Sequence, residues 1–166
     1  HGTSNELVMN PYEKMPYNTQ EDFAPISMMI AFPSVLVVHP SVPVKTLPQF
    51  VQFLRARPGK INFGTTGTGM SQVSGEMFKN LTKVDFTYIQ YKGGGPAVLA
   101  LIGGHVDASF STLPSTVTFI KSGKLRALMV TDDKRSPAAP DIPSALEVGM
   151  KDFVLLTWNG LLAPPK

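Results

Sequence analysis

The sequence predicts an α/β fold, a mostly parallel sheet with flanking helices. Three observations predict it. Strand-length apolar runs alternate with segments of helical period from residue 35 to residue 131. Glycine-rich turns follow two of the predicted strands, at 64–69 and 93–95. A composition of 43% hydrophobic and 16% charged residues suits a chain that buries a real core.

Residues 1–24 carry no clear period. His1-Gly2-Thr3-Ser4-Asn5 is turn-like, and Asn10-Pro11 and Met15-Pro16-Tyr17-Asn18 punctuate the rest of the segment. Residues 24–32 form a strand candidate that Pro33 interrupts. Val35-Leu36-Val37-Val38 is a second strand, β-branched and expected to be buried on both faces. Residues 39–43, with Pro40 and Pro43, form an extended linker. Thr46 is a good N-cap for a helix over 47–56, whose stripe is Leu47, Phe50, Val51 and Leu54. Arg55 and Arg57 suit its C-terminal dipole, and Pro58-Gly59 stops it.

A strand over 60–63 then enters Gly64-Thr65-Thr66-Gly67-Thr68-Gly69, and Met70, Val73, Met77 and Leu81 set the period of a helix over 70–81. Strands over 84–91, 106–111 and 125–131 come next, separated by helices over 96–102 and 114–122. Gly93-Gly94-Gly95-Pro96 opens the first of these helices and Gly103-Gly104 closes it. A polar, proline-rich loop spans 132–141, a short helix is expected over 142–148, and residues 152–162 form a terminal strand.

The stretch 63–71 is the centre of this organisation. A strand, a glycine-rich loop and a helix N-terminus together present free N–H groups and the positive end of the helix dipole. Thr65, Thr66, Gly67, Thr68, Gly69, Met70 and Ser71 therefore form a candidate anion site, suited to a carboxylate or phosphate. The same stretch also reads as a plain βα connection with no ligand. Two named phosphate loops are excluded. Met70 stands where a P-loop needs lysine, and the dinucleotide fingerprint starting at Gly67 fails at Gln72.

The totals narrow the function classes. The net charge is +3, from 15 basic and 12 acidic residues, and no Lys/Arg cluster suggests nucleic acid. There is no cysteine, so disulfides, thiolate zinc sites and thiol nucleophiles are excluded. No apolar run reaches the roughly 20 residues of a membrane span. The chain begins at His1 rather than Met, so it reads as a processed or cut piece.

Catalysis finds little support. His1, His39 and His105 have no metal-pair spacing, and neither G-x-S-x-G nor S-x-x-K occurs. No cofactor is expected. An enzyme acting on a small acid would need Lys92, Asp107 or Asp132 brought within hydrogen-bond reach of one another. Ser111 and Thr112 either donate to a bound acid or cap the helix after them.

A set of short stretches, in order over nearly the whole chain, resembles the Bug family, the periplasmic solute-binding receptors of tripartite tricarboxylate transporters. They include Asp22-Phe23-Ala24-Pro25-Ile26-Ser27, Leu36-Val37-Val38-His39-Pro40, Arg55-Ala56-Arg57-Pro58-Gly59-Lys60-Ile61-Asn62-Phe63-Gly64 and Tyr91-Lys92-Gly93-Gly94-Gly95-Pro96-Ala97. Gly103-Gly104-His105-Val106-Asp107, Leu113-Pro114-Ser115 and Pro140-Asp141-Ile142-Pro143 complete the set.

The resemblance implies a type II periplasmic-binding-protein-like fold closing on a small carboxylate, a di- or tricarboxylate or an aromatic acid. It implies one complete lobe plus part of the other. The pieces are 1–24 in the first lobe, a hinge strand at 25–33, a second lobe at 34–124, a hinge strand at 125–133, and a return at 134–166. By position, Thr65 to Ser71 would grip the ligand, with Tyr91, Lys92, Gly93 and Ser111 lining the cleft and Thr3 and Ser4 facing it. Membrane permease subunits would be the transport partners.

Three departures stand out. Val73 lies near the position of a histidine usual after the loop, and Ser111 replaces a usual aspartate. The family's opening P-F-x-x-G-G-x-x-D loop is not in this sequence, so half of the first lobe is expected to be missing. The alternatives are an α/β enzyme acting on a small acid, and a lobe that no longer binds and forms a homodimer.

Overall fold

Strand and helix alternate along the chain much as their periodicities dictate. The computed structural model describes residues 2–3, 18, 21–67 and 69–164. The strands are β1 (Gly2–Thr3), β2 (Ala24–Val38), β3 (Asn62–Thr65), β4 (Thr87–Gln90), β5 (Ala108–Thr112), β6 (Arg126–Val130) and β7 (Leu156–Ala163). The helices are α1 (Leu47–Arg55), α2 (Met70–Thr82), α3 (Gly94–Ile102) and α4 (Leu113–Lys121). Expectations that fall on residues 4–17, among them Asn10-Pro11 and Met15-Pro16-Tyr17, lie outside the described residues.

The sheet runs β1-β7-β2-β5-β3-β4, with β6 also paired to β2. It is mixed, where a mostly parallel sheet was expected. β3 is parallel to β4 and β5, but β2 is antiparallel to β5, β6 and β7. Alternation of strands and helices sets their order and leaves each direction open. The segments 39–46 and 56–61 flanking α1 are long enough to bring β3 back opposite to β2.

Pro33 does not interrupt β2. It pairs with Leu156 at the last rung shared with β7, and from Ser34 onward the partner is β5. A residue without an N–H is tolerated at such a changeover of partners.

Val35 to Val38 are fully buried, as their composition predicts. Alternate side chains leave opposite faces of a strand, and two cores result. Leu36 and Val38 join Phe50, Leu54, Phe63, Phe78, Phe110 and Phe153 under α1 and α2. Val35 and Val37 join Val98, Leu101, Val106, Leu113 and Leu125 under α3 and α4. Helices therefore cover both faces.

The buried face of α2 is not the predicted stripe. Ser74, Gly75, Phe78 and Thr82 are buried, while Leu81 is 43% exposed. A Cβ on Gly75 would collide with the Tyr88 hydroxyl, so the small residue at 75 lets α2 sit close against β4. That close seat outweighs the apolar period.

Beyond the two cores, residues 24–31 of β2 are exposed. With β7 and β1 they form an antiparallel ribbon carrying Ile26, Met28, Met29 and Ile30 at 50–66% exposure.

The expected helix over 142–148 is a series of turns. Ser144 and Glu147 do form the reciprocal bonds of a capping box, Ser144 N to Glu147 Oε2 at 2.8 Å and Glu147 N to Ser144 Oγ at 3.3 Å. Ser144 is also bridged to Val130 of β6, which takes the segment out of helical register. Arg135 Nε donates to both Glu147 carboxylate oxygens, at 3.0 and 2.9 Å.

Arg135, then the Ser144 backbone N–H, hold the Glu147 carboxyl below its usual value. A depressed folded pKa stabilises above the unfolded value and is lost as pH falls through the folded one. Glu147→Gln is therefore expected to lower Tm at pH 7. The gap to wild type should close as pH falls below about 4. The pair is exposed, so high salt should shrink the gap too, and unfolding at two salt concentrations checks this.

Candidate ligand-binding site

Three strand ends deliver three helices to one place. β3 ends at Thr65 and its glycine-rich turn leads into α2. β4 ends at Gln90, and residues 91–93 lead into α3. β5 passes at Thr112 directly into α4.

A cavity of about 240 Å³ lies at this junction. Met70 and Ser71 of α2, Gly94 and Gly95 of α3, and Thr112 and Ser115 at the start of α4 all line it. Each helix start brings N–H groups without intrahelical partners and the positive end of its dipole. The three N-caps, Gly69, Gly93 and Thr112, make no side-chain cap bond. By contrast α1, none of whose residues lines the cavity, is capped by Thr46, whose Oγ1 accepts from Gln49 N at 3.4 Å.

The glycine-rich loop is folded onto the start of α2 by hydroxyls. Ser71 Oγ lies 3.1 Å from Thr65 Oγ1 and 3.1 Å from Thr66 Oγ1, and accepts from Thr66 N at 3.3 Å. Gly67 N donates to Thr65 Oγ1 at 3.3 Å, and Gly67 has φ of +85°, a region that glycine alone enters freely. Across the cavity, Ser109 Oγ donates to Gly64 O at 2.9 Å and lies 3.1 Å from Ser111 Oγ. Ala97, Val98 and Phe110 supply an apolar wall, and Ser34 and Thr157 close another side.

No charged side chain lines the cavity among the described residues. An anion there would be held by neutral donors and helix ends, which need no counter-charge. The volume is below the roughly 300–1,000 Å³ of sites for drug-sized ligands, so it suits a small acid. Acid–base groups lie elsewhere. The Asp107 carboxylate accepts from Asn62 N at 2.8 Å, a backbone-fixing role. Burial, then Asp133, holds the Asp132 carboxyl above its usual value, but Asp132 does not line the cavity. Lys92 is exposed. No group of His, Asp or Glu among the described residues is placed to hold a metal.

Residues 2–166 match the family model described as TctC, tripartite tricarboxylate transporter family receptor. The chain belongs to the TctC family. It is 36% identical over 151 residues to BugT of Bordetella pertussis, which covers 90% of this chain and 46% of BugT. The fold agrees with that of R. palustris Rpa4515, solved with adipate, at a TM-score of 0.91 and 30% identity. That match covers 98% of this chain and 56% of Rpa4515. MatC of Rhodopseudomonas palustris, solved with bound malate, matches at 0.85 and 30% identity over 92% of this chain and 52% of its own. The chain spans about half the length of the curated relatives it matches.

Within this TctC chain the structure sorts the residues singled out from sequence. Thr65, Thr66, Met70, Ser71 and Ser111 line the cavity. Gly67 and Gly69 shape the loop behind the lining, and Thr68 lies outside the described residues. Tyr91, Lys92 and Gly93 do not line it. Tyr91 packs on the core beneath α3 while its N–H donates to Thr65 O at 2.8 Å, and the cavity meets Gly94 and Gly95 instead. Gly93 has φ of +107°, a region that glycine enters freely, and Lys92 before it is exposed. Thr3 pairs with Asn159 in the ribbon, and Ser4 lies outside the described residues. Sequence reasoning missed Ser34, Ser109, Ser115 and Thr157. The strand–helix passage at 111–115 was a usable signal for Ser115, whereas Ser34 and Thr157 arrive through long-range pairing.

Proposed function

We propose that this chain binds a small carboxylate, a di- or tricarboxylate or an aromatic acid, in the cavity at the three helix starts. It does so as the periplasmic receptor of a secondary transporter, handing the acid to membrane permease subunits. The observation that carries this reading is the convergence of three uncapped helix N-termini on one hydroxyl-rich, uncharged cavity. Each terminus contributes about 0.3–1 kcal/mol toward an anion, so three together favour a carboxylate by about 1–3 kcal/mol before any hydroxyl bond. The likeness to proteins solved with adipate and malate supports the ligand class. No acid–base pair lines the cavity among the described residues, and in this reading the acid is bound and released unchanged. In this reading 34–124 is the lobe that holds the acid, 25–33 and 125–133 are hinge strands, and 1–24 and 134–166 belong to the other lobe.

Calorimetric titration with mono-, di- and tricarboxylates and aromatic acids tests it. Micromolar binding of one acid, none of the corresponding neutral alcohol, and weaker binding by Gly67→Val are expected. A folded chain that binds no acid contradicts the reading. A second reading, self-association, is favoured by the exposed ribbon. Its segments 24–34 and 153–163 hold no charged residue, so a second copy is a matching partner. Light scattering on the same sample measures it.

A further inference from the structure

Four buried side-chain polar atoms among the described residues have no hydrogen-bond partner: Gln72 Oε1, Ser74 Oγ, Tyr88 OH and Thr157 Oγ1. Of their four residues, Thr157 alone lines the cavity. It is 8% exposed. A buried hydroxyl without a partner is costly, so such an atom on a residue that lines a binding cavity points to a bound group. Its neighbours at this crossing are satisfied. Thr131 Oγ1 accepts from Ser34 N at 2.9 Å and donates to Leu155 O at 2.6 Å. Leu155 N in turn donates to Thr131 O at 2.9 Å. Thr157 comes two residues later on β7, held by its pairing with Phe32 of β2. The side chain is thus placed by a fixed crossing of strands rather than by a loop.

We propose that Thr157 is a ligand-binding and specificity-determining residue, its hydroxyl donating to an oxygen of the bound acid while the three helix starts hold the carboxylate. This rests on the carboxylate reading above. It adds a contact from the return strand, which belongs to none of the βα units that build the rest of the site. The acid would then link β7 to the helix-bearing part of the molecule.

The test uses the 166-residue chain with malate and adipate as probes, read by calorimetry and thermal unfolding. Thr157→Val keeps the side-chain shape and removes the hydroxyl. It should weaken the better-bound acid by about ten- to hundredfold, the loss expected for a hydrogen bond to a charged group. Thr157→Ser should bind within about threefold of wild type, because it keeps the donor. Without acid, Thr157→Val should unfold at or above the wild-type temperature, since no existing bond is removed. Wild-type-like binding by Thr157→Val overturns the proposal and leaves the carboxylate reading standing. Weaker binding accompanied by a lowered unfolding temperature of the acid-free variant also overturns it, because that marks a structural role. A wild-type chain that binds neither acid overturns both.

Discussion

Thr112→Asp should bind carboxylates about a hundredfold more weakly than the wild-type chain while unfolding at the same or a higher temperature. Thr112 is the N-cap of α4 and lines the cavity, yet makes no side-chain cap bond. Aspartate is among the best N-caps, and its charge complements the helix dipole, so the free protein gains. The same charge stands beside the bound acid. Two like charges about 5 Å apart repel by about 3 kcal/mol at an effective dielectric of about 20, roughly a hundredfold in Kd. Thr112→Asn separates the causes, because it caps the helix without the charge and should bind far better than Thr112→Asp. Equal binding by the two variants would mean that no anion sits at this helix start.

The second large effect concerns the core that fixes α2, and with it the loop. Phe78 is fully buried, with ring centroids 6.5 Å from Phe50, 5.7 Å from Phe110 and 6.1 Å from Phe153. One ring thus ties α2 to α1, to β5 and to the segment before β7. Phe78→Ala removes the ring and leaves a cavity among close-packed aromatics, at a cost of about 3–5 kcal/mol. Typical domains have only about 5–15 kcal/mol in total. At this size each kcal/mol is worth about 2–4 °C, so Tm should fall by about 6–20 °C. Phe78→Leu keeps most of the volume and should lose about 1.5 kcal/mol or less. Urea unfolding of the three proteins checks both values. A loss under about 1 kcal/mol for Phe78→Ala would show that the ring does not anchor α2.

What was legible in the sequence depended on how local its cause is. The strand Val35–Val38 was readable because its own side chains make it apolar on both faces, and they fill two separate cores. The N-cap Thr46 and the stripe Leu47, Phe50 and Leu54 were readable for the same reason. Strand direction was not, because the alternation of strands and helices is the same whether β2 runs with or against β5. Pro33 misled because proline's missing N–H matters only where a ladder bond is needed, and β2 changes partner there. The buried face of α2 depended on Tyr88, a residue of β4 that meets Gly75 only in the folded chain. The site divides along the same line. The loop residues Thr65, Thr66 and Ser71 carry their own signature of glycines before a helix. Thr157 becomes a site residue only when β7 pairs with β2, more than a hundred positions away in sequence.

The central claim is that an acid sits where the three helices begin, and backbone NMR during a malate or adipate titration reads that place directly. Saturable amide shifts are predicted at Thr66 to Ser71, at Gly94 and Gly95, and at Ser111 and Thr112. Residues 24–31 of the ribbon, which lie outside the cavity lining, should not move with the same saturation. Saturable shifts confined to the ribbon, or none at any helix start with an acid that calorimetry shows to be bound, would contradict the account.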